Sequence, residues 1–421
     1  MEAIPLTPED SAILALESDA VAGHTCKVVR LGPGAPSAPA LRESISARVA
    51  ATPALTRRLA GDANRPVWVA DEAFALDRHL LDHDRPVDAA GLPGVVARLF
   101  EQRLRRDRPL WRMDVVRLTS GETALIWRIH HAVADGTTAM RFAEALLWDP
   151  RDPREPGGRR ESTHPAGASH PDEARRRAHL AAFVRREYER SGDPSPFAGE
   201  IGARREIAFA TVPLRKLHDA AKSLGGATLN DAALTVVAGA IRRWAAVGHR
   251  SIGELRAKVP VSLHRPGDGA GNRDSFFSVA LPVGEADPGA RLREIRAETA
   301  GRKAAHDAER IDGLHRRLER VAPRLEERVE RAERDPRRFA VNVSNVPGPR
   351  TPVQVLGAPV TDLHSIAEIG RGHALRVSVV SCADRLAFSL CVDPEIVRGV
   401  ETMASGAEAE AAALIRAGSS A

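Results

Sequence analysis

From about residue 149 to 178 the chain reads "DPRDPREPGGRRESTHPAGASHPDEARRR", rich in Pro, Gly, Ser and charge and without hydrophobic period. A stretch of this kind is the best linker in the chain. The expected division is a domain at 1–150, a linker at 151–178 and a second domain at 179–421. The length of 421 residues agrees, because it is too long for one ordinary core and suits two domains of about 200 residues each.

Both sides alternate strand and helix patterns. In the first, "HTCKVVRL" reads as a strand and "LRESISARVAA" as an amphipathic helix. A second helix is expected over "GLPGVVARLFEQRLRRD", before the loop with Pro109 and Leu110, and "WRMDVVRL" and "TALIWRI" read as strands joined at "TSGE". In the second, strands are expected at "REIAFATVPL", "RAKVPVSL" and "RRFAVNVSNV", and helices at "LRKLHDAAKSLG" and "TLNDAALTVVAGAIRRWAAV". A charged helical segment fills about 288 to 334, and "HALRVSVVSCADRLAFSLCVD" reads as a hairpin around "CADR". The pattern predicts a pair of related α/β domains.

Composition narrows the partners. The formal charge is only +5, aromatic residues are 4%, and no nucleic-acid-reading signature is present, so nucleic acid is set aside. Cys26, Cys382 and Cys391 fit neither a disulfide framework nor a zinc knuckle, which points to a reducing compartment. The N-terminal "MEAIPLTPEDSAILALESD" lacks the pattern of a secretory signal, and no apolar run is long enough to span a bilayer. The expected location is cytoplasmic, with peripheral membrane attachment open. In "HLAAFVRREYERSG", Leu180, Phe183, Val184 and Tyr188 share a face opposite arginines, as in a solvated surface helix or a membrane-surface helix.

The stretch that concentrates polar chemistry is "ALIWRIHHAVADGTTAM", residues 124 to 140. Strand alternation puts Leu125, Trp127, Ile129 and His131 on one face and Ala124, Ile126, Arg128 and His130 on the other. Adjacent histidines then point apart, and Asp135 does not complete a zinc spacing, so no metal is expected. A helix is predicted to begin just after Gly136, with Asp135 as its cap and Gly136 permitting a turn with positive φ. One reading is a catalytic base, since a neutral imidazole can accept a proton at cytosolic pH. The other is a structural histidine pair. Local pattern leaves both open.

"HHAVADG", residues 130 to 136, matches the HHxxxDG motif of coenzyme A-dependent acyltransferases. Together with "LTPEDSAILALES", "FALDRHL", "DRPLW", "TLNDAALTVVAGAIRRW", "VPVSLHRPGDGAGN" and "NVSNVPGP", it makes nearly the whole chain resemble the bacterial wax ester synthase/diacylglycerol acyltransferase family. The resemblance implies two chloramphenicol-acetyltransferase-like α/β domains, each a mixed sheet with helices, around a central tunnel. It implies acyl-CoA as donor substrate, a diacylglycerol or long-chain alcohol as acceptor, a triacylglycerol or wax ester as product and no cofactor. It also suggests contact with a membrane or lipid-droplet surface.

By the same resemblance His131 is the general base, His130 shapes the site, Asp135 ties down the loop and Gly136 provides its turn. Asn230 is the candidate oxyanion donor. Asn230, Asp231, Pro109, Leu110, Trp111, Ser344 and Asn345 are candidate substrate-binding residues. Structural readings stand beside these: Thr228, Asn230 or Asp231 as a helix N-cap, "NVSNVPGP" as a strand and its stop, and "PLW" as packing or tunnel wall. His264, where the family commonly has arginine, and Cys382, where it often has an aromatic, are departures that bear on the acceptor pocket. Two other functions fit the chain: acyl transfer to a specialised alcohol or amine, and a silent lipid-binding relative.

Overall fold

The computed structural model describes residues 3–62, 65–150, 195–248, 252–262, 274–305, scattered positions between 307 and 332, and 335–419. The expected linker at 151–178, the arginine-rich helix after it, and His264 and Arg265 lie outside the described residues.

The first half contributes four strands to one sheet, β1 (His24–Leu31), β2 (Leu80–Val87), β3 (Trp111–Leu118) and β4 (Thr123–His130). The second half begins another sheet with β5 (Glu206–Pro213), β6 (Leu255–Ser262), β7 (Asp274–Leu281) and β8 (Val341–Val346). The chain then returns to the first sheet for β9 (Gln354–Val355) and β10 (Ala358–Ala367) before completing the second with β11 (Leu375–Cys382) and β12 (Arg385–Val392). The first sheet has the order β9-β10-β1-β4-β3-β2 and the second β7-β6-β8-β11-β12-β5. Both are mixed, with β2 parallel to β3, and β8 parallel to both β6 and β11. The two domains are therefore interlocked, because β10 pairs antiparallel with β1 from Ala367↔Thr25 to Val360↔Leu31.

All eight residues of β4 are buried. Ala124 and Ile126 join a core shared with the second domain, whereas Leu125, Trp127 and Ile129 pack among α2 (Ala38–Val49) and α4 (Gly136–Leu146), which follow α1 (Pro8–Ala15) and α3 (Leu92–Phe100) in the chain. The strand is thus gripped on both faces, and the residues that follow it start from a fixed point. The helix expected over 91–107 stops at Phe100. There the buried Arg128 guanidinium donates to the carbonyls of Leu99 and Gln102, capping the helix end from the adjacent sheet. Among the described residues, no helix is long and apolar enough to cross a membrane.

Candidate active site

The histidine turn is set by the end of β4. His131 donates its backbone N–H to the Gly23 carbonyl at 2.9 Å, which continues the β1 pairing one residue past the strand. Gly23 has φ +74°, and a Cβ there would lie 2.7 Å from His130 Nε2 and 2.8 Å from Glu17 Cγ. Only glycine meets both the backbone and the space requirement.

His130 is fully buried. Its Nδ1 accepts from the Ala132 backbone N–H at 3.1 Å, so the ring proton sits on Nε2 and is donated to Glu17 Oε1 at 2.9 Å. Burial pushes the Glu17 carboxyl up, but the hydrogen bonds from His130 and Arg106, with the charge of Arg106, hold Glu17 below its ordinary value. His130 is therefore committed to structure on both nitrogens. His131 is the histidine that faces open space.

That space is a cavity of about 310 Å³ lined from both domains. Gly23, His24 and His131 come from the first; Lys258, Asn342 and Arg376 come from the second; Ile13, Leu16, Val21, Phe339 and Leu375 supply apolar wall. Burial, and secondarily the positive charge of Arg376, push the His131 pKa down to about 4, against the pull of Asp135. At neutral pH the imidazole is uncharged and able to take a proton.

Asp135 caps α4, its Oδ1 accepting from the Thr138 N–H at 2.6 Å. Gly136 does not occupy the positive-φ region expected for it. Its requirement is steric instead, since a Cβ there would sit 2.7 Å from Val346 Cγ2 on β8. The motif glycine is the point where the histidine turn is pressed against the second domain.

Asn230 and Asn345 are brought together, with Asn345 Nδ2 donating to Asn230 Oδ1 at 3.5 Å, but neither lines the cavity. Ser344 donates to Ser378 Oγ at 3.3 Å. Asp231 closes a capping box with Thr228 on α6, the helix Leu229–Val247, which follows α5 (Leu214–Ser223). Asp231 also accepts from Thr299 Oγ1 at 2.7 Å. It is buried and structural. Asp231→Ala should therefore cost about 1–3 kcal/mol through the lost cap and the unpaired Thr299 hydroxyl; the check is a lowered Tm with kcat unchanged. Pro109, Leu110 and Trp111 are also structural. The Leu110 carbonyl accepts from the His130 N–H, and Trp111 donates to the Leu55 carbonyl at 2.7 Å while stacking on His79.

Sequence reasoning missed Glu17, Gly23, His24, Lys258 and Arg376. Glu17 lies inside the family-like stretch "LTPEDSAILALES" but is not marked out within it, and Gly23 carries no local pattern. Arg376 did leave a signal, a lone cation in the strand "LRVSVVSC" whose other residues are apolar or small.

Two mixed sheets interlocked by an exchanged strand, with an HHxxxDG turn at their junction, define the two-domain fold of the chloramphenicol-acetyltransferase type. The description "Wax ester synthase/diacylglycerol acyltransferase catalytic domain" matches residues 6–187, and "WS/DGAT C-terminal domain" matches residues 270–414. A relative from Mycobacterium tuberculosis named "Probable diacyglycerol O-acyltransferase tgs1" is 30% identical over 381 residues, covering 84% of this chain and 82% of its own. The wax ester synthase/diacylglycerol acyltransferase of Marinobacter aquaeolei VT8 superposes with TM-score 0.71 at 21% identity, over 99% of this chain and 100% of that one. The starter condensation domain of rhizomide synthetase, in a complex with C8-CoA and Leu-SNAC, shares the fold at TM-score 0.59 and 13% identity, over 98% and 93% of the two chains. The chain belongs to the wax ester synthase/diacylglycerol acyltransferase family.

Proposed function

We propose that His131 is the general base of an acyl-CoA-dependent O-acyltransferase that forms triacylglycerol or wax ester. O-acyl transfer that forms a neutral-lipid ester is the activity of the family. The assignment of the base is carried by one observation: of the two motif histidines, His131 alone lines the cavity between the domains, while both ring nitrogens of His130 are hydrogen-bonded to protein.

The acceptor hydroxyl gives its proton to His131 as its oxygen bonds to the thioester carbonyl carbon, and the carbonyl π pair moves onto the carbonyl oxygen. Return of that pair breaks the C–S bond, and the departing CoA thiolate takes the proton from His131. The step balances without a metal or redox cofactor. His130, held by Glu17, and Asp135, capping α4, position the turn. The apolar wall suits a long acyl chain, and an acceptor of that character resides in a bilayer or droplet, which supports transient contact with a lipid surface.

The direct test is CoA-thiol release from acyl-CoA of graded length with a diacylglycerol or a long-chain alcohol, with the ester product identified. Release that needs neither acceptor would discard this reading, and ester formed only with a short alcohol or an amine would select the specialised-acceptor alternative.

The pH behaviour separates catalysis from stability. With the folded His131 value at about 4, kcat/KM should keep its neutral-pH value well below pH 6 and fall only as pH approaches 4. Burial also lowers the folded pKa of His24 and of His79. For these three groups the unfolded chain binds protons near pH 6.5 and the folded chain does not, so their stability contribution is full above about pH 6.5 and is lost as pH falls. Tm should accordingly decline below about pH 6.5, before the base itself titrates.

A further inference from the structure

We propose that Arg376 is a catalytic residue of this reaction, its guanidinium holding the oxyanion of the tetrahedral intermediate in the cavity it shares with His131. The inference rests on the reading of His131 as the base. Collapse of the thioester carbonyl places a full negative charge on its oxygen, and a preorganised donor must meet it. Asn230, the candidate from sequence, bonds Asn345 and does not line the cavity.

Arg376 lines the cavity from the second domain, at the second residue of β11, between Asn342 on β8 and Cys391 on β12. The rest of β11 is apolar or small, and Leu375, Val377, Val379 and Val380 are buried. Putting a guanidinium into such a strand carries a desolvation cost. One side of the group is anchored, with Nη1 donating to the Glu368 carbonyl at 3.2 Å on the segment that crosses from β10 to β11. A guanidinium carries its donors in a rigid fork, so this anchor helps to fix the direction of the whole group.

The other cations of the cavity are worse placed. Lys258 Nζ lies 3.8 Å from the centroid of Phe276, and Arg371 is exposed. His24 is wholly buried, edge-on to Phe100, and with its pKa lowered by burial it is uncharged.

The charges also favour the transition state over the ground state. Before reaction, a neutral His131 faces a cationic Arg376. Proton transfer to His131 alone would set two cations against each other, and the Arg376 charge already opposes protonation of the imidazole. When the proton moves as the C–O bond forms, the oxyanion develops in the cavity that both line, and both cations become favourable. The same charge then meets the CoA thiolate as the C–S bond breaks and before His131 returns the proton. An interaction of this kind is strongest where the reaction is slowest, which is the condition for lowering its barrier.

Two variants of the full chain test the assignment, Arg376→Gln and Arg376→Lys, with kcat, KM for acyl-CoA and the pH profile of kcat/KM as readouts. The groups facing His131 that bear on the profile are His130 and Asp135 on its own segment, His24 on β1, Lys258 and Arg376 on the second sheet, and Glu368, Arg371 and His373 on the crossing segment. Arg376→Gln should lower kcat by about 10²–10³-fold with KM little changed. Its acid limb should move up from about 4, because a guanidinium no longer opposes the imidazolium. Arg376→Lys, which keeps the charge and loses the fork, should keep the low acid limb and recover part of the rate. A glutamine variant with kcat within threefold of the parent, or one whose kcat falls while the acid limb stays in place, overturns the assignment. If the glutamine variant does not fold, the lysine variant decides: a tenfold or greater loss in kcat at unchanged KM supports the role, and unchanged kcat removes it. An active His131→Ala would sink the base reading instead, whereas an inactive His131→Ala beside an unimpaired Arg376→Gln sinks only this inference.

Discussion

His131→Ala is expected to lower kcat by about 10²–10⁴-fold, the range that a positioned general base supplies, while leaving the melting temperature close to that of the parent. The separation follows from how the residue is held. It is held in part by its backbone N–H donating to the Gly23 carbonyl, a bond that alanine retains. The side chain faces the cavity, so its removal enlarges that space and leaves the core packed as before. His130→Ala should behave differently, because it strips Glu17 of a partner in a site where that carboxylate is mostly buried. That variant should lose stability and rate together. Single-turnover measurement of CoA-thiol release, read beside a thermal melt, distinguishes the two. Equal losses of rate and of Tm in both variants would mean that neither histidine acts on the acceptor directly.

The local parts of this site were open to a sequence reading, and the parts made by long-range contact were not. The run from Thr123 to Leu146 announced itself as strand, turn and helix, and Asp135 caps the helix as its position suggested. The hairpin around "CADR" falls where expected, with Ala383 at φ +50° in its turn. Both are local: alternation of side chains in a strand and side-chain capping act over two to four residues, and so leave a mark in neighbouring letters.

The exchanged strand leaves none. "APVTDLHSIA" lies more than 300 residues from its partner "HTCKVVRL", and its own pattern is mostly buried on both faces, so no alternation marks it as a strand. Glu17, Gly23 and Arg376 belong to the site through contacts of the same kind, made across the chain or between domains. The motif residues Pro109, Leu110 and Trp111 show the converse. They are prominent in sequence, yet they serve the site from beneath, through the Leu110 carbonyl that holds the His130 N–H and the tryptophan packed under β4.

Gly136 joins the two kinds of information, and its replacement should have the second-largest effect. Because its φ is not in the left-handed region, Gly136→Ala introduces no backbone strain, and the whole effect must come from the new methyl. That methyl would lie 2.7 Å from Val346 Cγ2. Val346 is β-branched and set in β8, paired with Val380 of β11, so its side chain has little freedom to turn away. The turn must move instead, carrying Asp135 and His131 off their positions. Overpacking of this kind costs about 1–3 kcal/mol, and a displacement of the base near 1 Å lowers the rate by about 10²-fold. Val346→Ala removes the opposing methyl groups, so Gly136→Ala/Val346→Ala should recover most of both losses. The coupling between the two positions is measured by the double-mutant cycle in kcat and in Tm. A double variant no better than Gly136→Ala would show that the close approach to β8 is not what the motif glycine provides. Recovery would tie the catalytic turn of one domain to a single side chain of the other, so that the seating of β8 against α4 sets the reach of the base.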